Sequence, residues 1–440
     1  MRAKATFARL REAIKQLPVI DTHGHLMPEE EAIRTPIDLF SFIYSGLPKT
    51  DLISAGLELP EGESWIGRGE REPEEIWKAI RPYLDHVRDC YYHRSQIAGF
   101  RDLYGFEEGL GDGNWRTLSE KISQQAKEKG WYREVMREKS KVELVLNDRP
   151  WTWARTPEGD RWYTANVMRV FDWTDLRPEF RRRAGVGGQP ITSLEEALAG
   201  LEAYFEGLLS EGVAGLKMGQ AYWRGLDFEE APRRVAEQEF PRSLEGPPLA
   251  PRAVQDFMMF EVMRRADDCG LTVAFHTGLQ AGNSNDIRNS RAGLLIPLMR
   301  RFPRARFDIF HASYPYSEEA LVLAKYFPNV YFNFCGTNWQ SPYVMKHLLH
   351  IALELVPSNK VFAYGGDAGR VEEAYGNLCV MGDIFAGVLA ERVDSGFLSE
   401  ERALGLARKF FHDNPYEAYR LEAWKERTGA GAASGGLLAS

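Results

Sequence analysis

Hydrophobic and polar positions change period along the chain, and each change marks an element. Phe7, Leu10, Ile14 and Leu17 recur at helical spacing, and Pro18 halts that helix. The apolar pair Val19-Ile20 then predicts a strand end that runs into Asp21-Thr22-His23-Gly24-His25. From about Met27 to Lys139 the pattern is helical with long polar breaks, and it predicts helices over residues 73–90, 91–103, 118–129 and 131–139. Pro60-Glu-Gly-Glu-Ser64 and Gly109-Leu-Gly-Asp-Gly-Asn114 punctuate this stretch.

Beyond it, strands and helices alternate. Apolar runs predict strands over residues 142–146, 166–171, 213–218, 271–276, 306–311, 329–334 and 360–367. A helix starts at Ser193, where Ser193 and Glu196 match a capping box, and Gly212 is its stop. After a proline- and charge-rich excursion over 228–251, helices are predicted over 253–269, 292–302, 317–327, 342–355 and 374–393. Eight strands alternating with helices imply an α/β fold with a parallel sheet, most simply a (β/α)8 TIM barrel with a helical insertion after strand 1. A doubly wound open sheet is disfavoured because no glycine-rich phosphate loop follows the first strand. The expected division is 1–26 for the first helix and strand, 27–140 for an insertion over the barrel mouth, 141–425 for the rest of the barrel, and 426–440 for a low-complexity, disordered tail.

Composition narrows the class. The 440 residues are 44% hydrophobic and 27% charged, which suits a large packed core. A net charge of -8 argues against a nucleic-acid partner. Four cysteines without a CxxC pair read as thiols of a reducing compartment. A charged N-terminus and the lack of a long apolar run predict a cytoplasmic protein without a membrane partner. Homo-oligomerisation is left open.

The chemistry lies at the strand ends. His23 and His25 stand two apart, so on a strand both project to one side. Later strands end near Lys217, His276, His311 and Asp367. A lone strand histidine is more often a hydrogen-bonded structural residue than a ligand, but in a barrel these ends converge on one pocket. Imidazoles with a carboxylate suit zinc, or manganese or iron, and leave positions open for water. His23, His25, His276 and Asp367 are the expected metal ligands, with His311 able to take the place of His276. Asp367, His311 and Lys217 are the expected catalytic groups. An ammonium beside a divalent cation is repelled, so Lys217 is expected to be neutral, carbamylated and bridging two metals, or aimed at a substrate carboxylate. One ion is favoured over two, because Tyr222 and Arg224 follow closely as substrate-binding companions. Arg370 is a further candidate for a substrate carboxylate. Tyr314, Tyr316 and Arg94 are weaker candidates, while His93, His347, His350 and His412 are expected to be structural or surface residues.

The order HxH, Lys, His, His, Asp along eight strands resembles the amidohydrolase superfamily. Gly215-Leu-Lys-Met-Gly-Gln-Ala-Tyr-Trp-Arg-Gly-Leu226, Phe275-His-Thr-Gly278 and His311-Ala-Ser-Tyr-Pro-Tyr316 resemble blocks of its amidohydrolase-related branch, which includes nodulin/glutamine-synthetase-type domains. The insertion is more similar to that of uronate isomerases. Tyr364-Gly-Gly-Asp-Ala368 departs from the Ser/Gly-Thr-Asp-Ala type common in the branch, yet keeps Asp367. The resemblance implies a metal-dependent enzyme. The expected activity is hydrolysis of an amide or other C–N bond in a small carboxylated substrate. A decarboxylase or uronate isomerase-like enzyme is the alternative, and an inactive barrel used for binding is disfavoured because every expected metal residue is present.

Overall fold

In the computed structural model, the described residues are 2–43, 46–59, 72–107, 109–149, 158–184, 189–245 and 249–429. Eight parallel strands follow one another in sequence order around a TIM barrel: β1 Val19–Gly24, β2 Val142–Arg149, β3 Thr164–Arg169, β4 Gly215–Met218, β5 Thr272–Phe275, β6 Arg306–Ile309, β7 Val330–Asn333 and β8 Val361–Phe362. The ring closes through a parallel bridge between Gly24 and Ala368, with the Thr22 amide donating to the Tyr364 carbonyl. Ile20, Leu144, Leu146, Ala165, Val167 and Phe362 fill the lumen, and Tyr419 and Trp424 of the C-terminal segment pack against them. A second, larger core lies between barrel and helices. Among the described residues no helix is long and apolar enough to cross a membrane.

Most elements match the sequence pattern within a few residues, and the differences concern the strand ends. β2 extends past the predicted Leu146 to Arg149, which brings Asp148 to the mouth. β3 stops at Arg169, and Phe171 opens a short helix, Phe171–Asp175, instead of ending the strand. β8 is two residues long, because the chain after Ala363 bonds to β1 by separate contacts rather than as a ladder. The Ser193–Glu196 capping box is formed and Gly212 ends its helix in the left-handed region. The tail's predicted start is overtaken by a helix, Leu421–Thr428, anchored by Trp424. Residues 430–440 and the Pro60-Glu-Gly-Glu-Ser64 break lie outside the described residues.

The insertion contains helices that the pattern left unassigned, Glu29–Arg34, Phe40–Ile43 and Gly46–Ser54, besides the predicted Pro73–Val87, Tyr91–Tyr104 and Trp115–Gln125. Residues 131–139 give a shorter helix of wider turn, Arg133–Lys139. Helix Tyr91–Tyr104 packs along helix Val371–Asp394. Glu372 ties them, accepting from the Tyr104 hydroxyl at 2.7 Å and from Trp131 Nε1 at 2.8 Å.

Candidate metal centre at the barrel mouth

Strand β1 is buried on both faces and delivers His23 and His25 to the C-terminal end of the barrel. Gly24 is required between them: a Cβ there would lie 2.5 Å from Val145 Cγ1 on β2. Asp367 meets the two rings from the other side of the closure. Its Oδ1 lies 3.1 Å from His23 Nε2 and 3.2 Å from His25 Nε2, and its amide donates to the His23 carbonyl at 2.7 Å. Asp367 has φ +46°, a left-handed conformation rare for a non-glycine residue and typical of functional sites. The ligand atoms of His23, His25 and Asp367 all fall within 4.8 Å of one another.

His276 and His311 form a second pair beside this group. His276 Nε2 faces the Leu279 carbonyl at 3.2 Å, and His311 Nδ1 faces the Cys335 carbonyl at 3.0 Å. A carbonyl only accepts, so each of those nitrogens carries the ring proton when the imidazole is neutral. Burial favours the neutral forms, pushing His311 down to about 4 and His276 well below its usual range. Two bare nitrogens, His311 Nε2 and His276 Nδ1, then face each other at 3.2 Å. Facing lone pairs call for a cation or a shared proton between them. Two nitrogens bound to one tetrahedral zinc at its usual bond lengths stand roughly 3.4 Å apart. The separations at Asp367 and at this pair are close to that ligand-to-ligand edge, so the donor set fits a divalent metal. His311 is reached from the left-handed run His311-Ala312-Ser313, and Thr277 Oγ1 donates to the Phe310 carbonyl at 2.7 Å to hold that turn.

Lys217 is buried below the histidines. Its Nζ lies 3.4 Å from His23 Nε2 and 3.8 Å from the centre of the Phe310 ring. Burial lowers its pKa, against the pull of Asp148 and Asp367 in the other direction. Burial likewise takes His23 down to about 3. Burial opposes ionisation of Asp367, but the histidine contacts hold it well below the usual carboxylate range. At neutral pH the site therefore presents the Asp367 carboxylate and, at His23, His276 and His311, uncharged imidazoles, the protonation states that bind metal.

These groups open into a cavity of about 620 Å³. Barrel residues His23, His25, Lys217, His276 and Asp367 line its floor, while Met27, Ser41, Leu47 and Tyr92 of segment 27–140 line it from above. Residues 159–421 match the amidohydrolase family. The chain belongs to that family. Protein fluG of Emericella nidulans is 25% identical over 300 residues, which is 59% of this chain and 34% of that protein, so the chain spans about a third of that relative's length. The glucuronate isomerase of Caulobacter crescentus superposes with a TM-score of 0.77 at 18% identity, covering 95% of this chain and 94% of that one. The uronate isomerase of Thermotoga maritima gives 0.75 at 14%, with 94% and 97% covered. A protein of Lactobacillus casei described as a metal-dependent hydrolase gives 0.65 at 17%, with 94% and 98% covered. These likenesses show a shared fold.

The amidohydrolase barrel does not gather every predicted site residue. Tyr222 lines the cavity, its ring 4.7 Å from that of His276 and its hydroxyl accepting from the Ala281 amide at 3.3 Å. Arg370 also lines it, and its buried Nε has no hydrogen-bond partner among the described residues. Arg224 is a correction. It is turned away from the cavity, with Nη2 donating to Asp256 Oδ1 at 2.7 Å and its guanidinium over Phe228. A buried guanidinium needs a carboxylate, and Asp256 on the neighbouring helix Arg252–Cys269 supplies it. His276 stands outside the His23–His25–Asp367 group, and His311 is not among the residues lining the cavity, its Nδ1 lying 4.0 Å from Asp367 Oδ2 and its Nε2 beside His276. Tyr314 and Tyr316 do not line the cavity, and Arg94 pairs with Asp89 at the surface.

Two residues missed by sequence reasoning belong to this mouth. Asp148, at the end of β2, accepts from Arg169 Nε at 2.8 Å and lies 3.8 Å from His25 Nδ1. Arg169 ends β3, and both line the cavity. They continue the polar series of the strand ends, and the sign was available in the sequence had the two strands been bounded correctly.

Proposed function

We propose that the chain is a metal-dependent hydrolase cleaving an amide or other C–N bond of a small carboxylated substrate in the cytoplasm. His23, His25 and Asp367 hold a single divalent ion, zinc before manganese or iron, and His276 or His311 completes the set. The observation that carries this is Asp367 lying within 3.2 Å of both β1 histidines, beside a histidine pair whose lone pairs face each other. A bound divalent ion supplies Lewis acidity and makes water acidic enough to react near neutral pH.

The chain's own groups do the rest. Asp367 accepts a proton from the attacking water as the water oxygen adds to the carbonyl carbon, and returns it to nitrogen as the C–N bond breaks. His311 holds its ring proton against the Cys335 carbonyl, which leaves its Nε2 bare toward His276 Nδ1. Lys217, unmodified, holds an oxygen of the substrate, and Arg370 pairs with its carboxylate, with Tyr222 on the wall across the cavity. The insertion covers the mouth and limits which substrates enter, since Tyr92 and Leu47 share the cavity with the strand-end residues. A uronate isomerase-like reaction on the same residues is the alternative, favoured by the match of two uronate isomerases over 94–95% of the chain.

Zinc-loaded protein offered N-acyl amino acids and D-glucuronate in parallel separates the two. Amine release from the amides, abolished by His23→Ala, is expected. Conversion of glucuronate to a ketose without any amine release would replace hydrolysis by isomerisation.

A further inference from the structure

The outer half of the cavity differs in chemistry from its floor. Phe171 follows β3 and Trp223 follows β4, while Trp339 follows β7. In an eight-stranded ring β3 and β7 stand opposite each other, so these rings form facing walls. Each wall is an edge-packed pair. Phe171 and Trp223 have centroids 5.5 Å apart at 65°, and Tyr92 of the insertion meets Trp339 at 5.0 Å and 64°. Both are braced from behind: the Arg177 guanidinium sits 4.6 Å over the Trp223 ring, and Trp339 is only 4% exposed. Between the walls Met27, Leu47 and Leu279 add aliphatic surface. Besides Lys217 and Asp367 of the floor, the charged residues of the lining are Arg370, the paired Asp148 and Arg169, and Glu373, which accepts from Gln96 Nε2.

A polyhydroxylated ring placed between Trp223 and Trp339 would lose water from its hydroxyls against ring faces that offer them no hydrogen bond. A planar apolar ring would gain edge and face contacts on both sides. Resting on the hydrolase reading, we infer that the substrate's acyl group carries an aromatic ring. The ring sits between Trp223 and Trp339, with the scissile carbonyl over Asp367 and the carboxylate at Arg370. The class is an aroyl amide of a small amino acid, not a sugar acid.

Binding probes without a C–N bond test this apart from turnover. In 4-oxo-4-phenylbutanoate and 4-oxopentanoate a methylene replaces the amide nitrogen of a benzoyl and an acetyl amide, respectively. D-glucuronate is the third probe, and all three are titrated calorimetrically into zinc-loaded, full-length protein. The phenyl ketone is expected to bind about ten-fold more tightly than 4-oxopentanoate or glucuronate. That ratio should fall below about three-fold in Trp223→Leu and in Trp339→Leu, with 4-oxopentanoate affinity kept within about two-fold. Equal binding of the two ketones, tightest binding of glucuronate, or a ratio that survives both substitutions would overturn the inference. Should one variant fail to fold, the wild-type ratio and the other variant decide. A kept ratio without amide hydrolysis would unseat the hydrolase reading and leave the aromatic walls; hydrolysis without the ratio would remove this inference alone.

Discussion

Arg370 and Arg224 both looked like carboxylate binders, and their surroundings separate them. Arg370 lines the cavity and its buried Nε has no hydrogen-bond partner among the described residues, whereas Arg224 is spent on Asp256. Arg370→Met should raise KM about ten- to hundred-fold with kcat little changed, since it removes one charge-assisted contact. Arg224→Met should leave KM alone and cost about 1–3 kcal/mol of stability in a urea melt, because buried Asp256 loses its closest partner and keeps only Arg252 Nε at 3.7 Å. A rise in KM without lost stability in Arg224→Met would reverse the assignment. No sequence pattern distinguishes the two arginines. Arg224 follows Tyr222 by two residues, and only the short helical turn Gln220–Tyr222 and the partner 32 positions later decide where it points. Strand periodicity at β1 puts His23 and His25 on one side, which made that pair legible, whereas Asp367 lies beyond the two residues of β8 and is brought to them by its amide bond to the His23 carbonyl. The left-handed backbone at Asp367 and His311, which aims them, was not legible.

At the scale of elements, Glu372 makes two of the polar contacts that hold the insertion, beside those of Gln96 with Glu373, Thr50 and Ser54 with Asn283, and Asp102 with Tyr375. Glu372→Ala leaves the Tyr104 hydroxyl and the Trp131 indole N–H without that acceptor, at about 1–3 kcal/mol each. Faster hydrogen exchange across Tyr91–Tyr104 with the barrel strands unchanged is expected, and uniform exchange through the whole chain would show that the insertion does not move by itself. The C-terminal segment has a pH-dependent clasp instead. His412 Nε2 lies 3.1 Å from Glu143 Oε2 on β2, and Lys425 bonds to the same carboxylate at 2.5 Å. Burial opposes charge on His412, but the hydrogen bonds to Glu143 and Asp413 win and raise its pKa. The His412 bond, with Lys425, takes Glu143 down to about 2. A raised histidine contributes stability that is complete below its ordinary 6.5 and lost as pH rises through the folded value. The depressed Glu143 contributes above its ordinary 4.5 and loses that contribution as pH falls toward 2. The melting temperature of wild type should therefore exceed that of His412→Gln by more at pH 5.5 than at pH 8.5, and an equal difference at both would refute the clasp. Helices with caps, such as Leu194–Glu211, were readable to the residue. Strand ends were not, because β8 and β2 are bounded by contacts with β1 and β3 that no local pattern encodes.

For the whole molecule, the alternation of strands and helices was enough to predict the barrel, since eight parallel strands with one apolar lumen leave few other closures. Which residues of segment 27–140 line the cavity was not readable, because its apolar faces match any helix packed on a barrel. The central claim is that the two edges of the closure, β1 and the segment after β8, share one metal. Removing metal with a chelator should abolish amide hydrolysis and zinc should restore it, while the fold persists, because the core is built without the site. The most direct measurement is anomalous diffraction from a crystal of the zinc-loaded protein. One peak is expected within bonding distance of His23, His25 and Asp367, with Lys217 unmodified. A peak elsewhere, or none, would contradict a shared site, and two peaks bridged by density beyond the Lys217 amine would contradict the single-ion form.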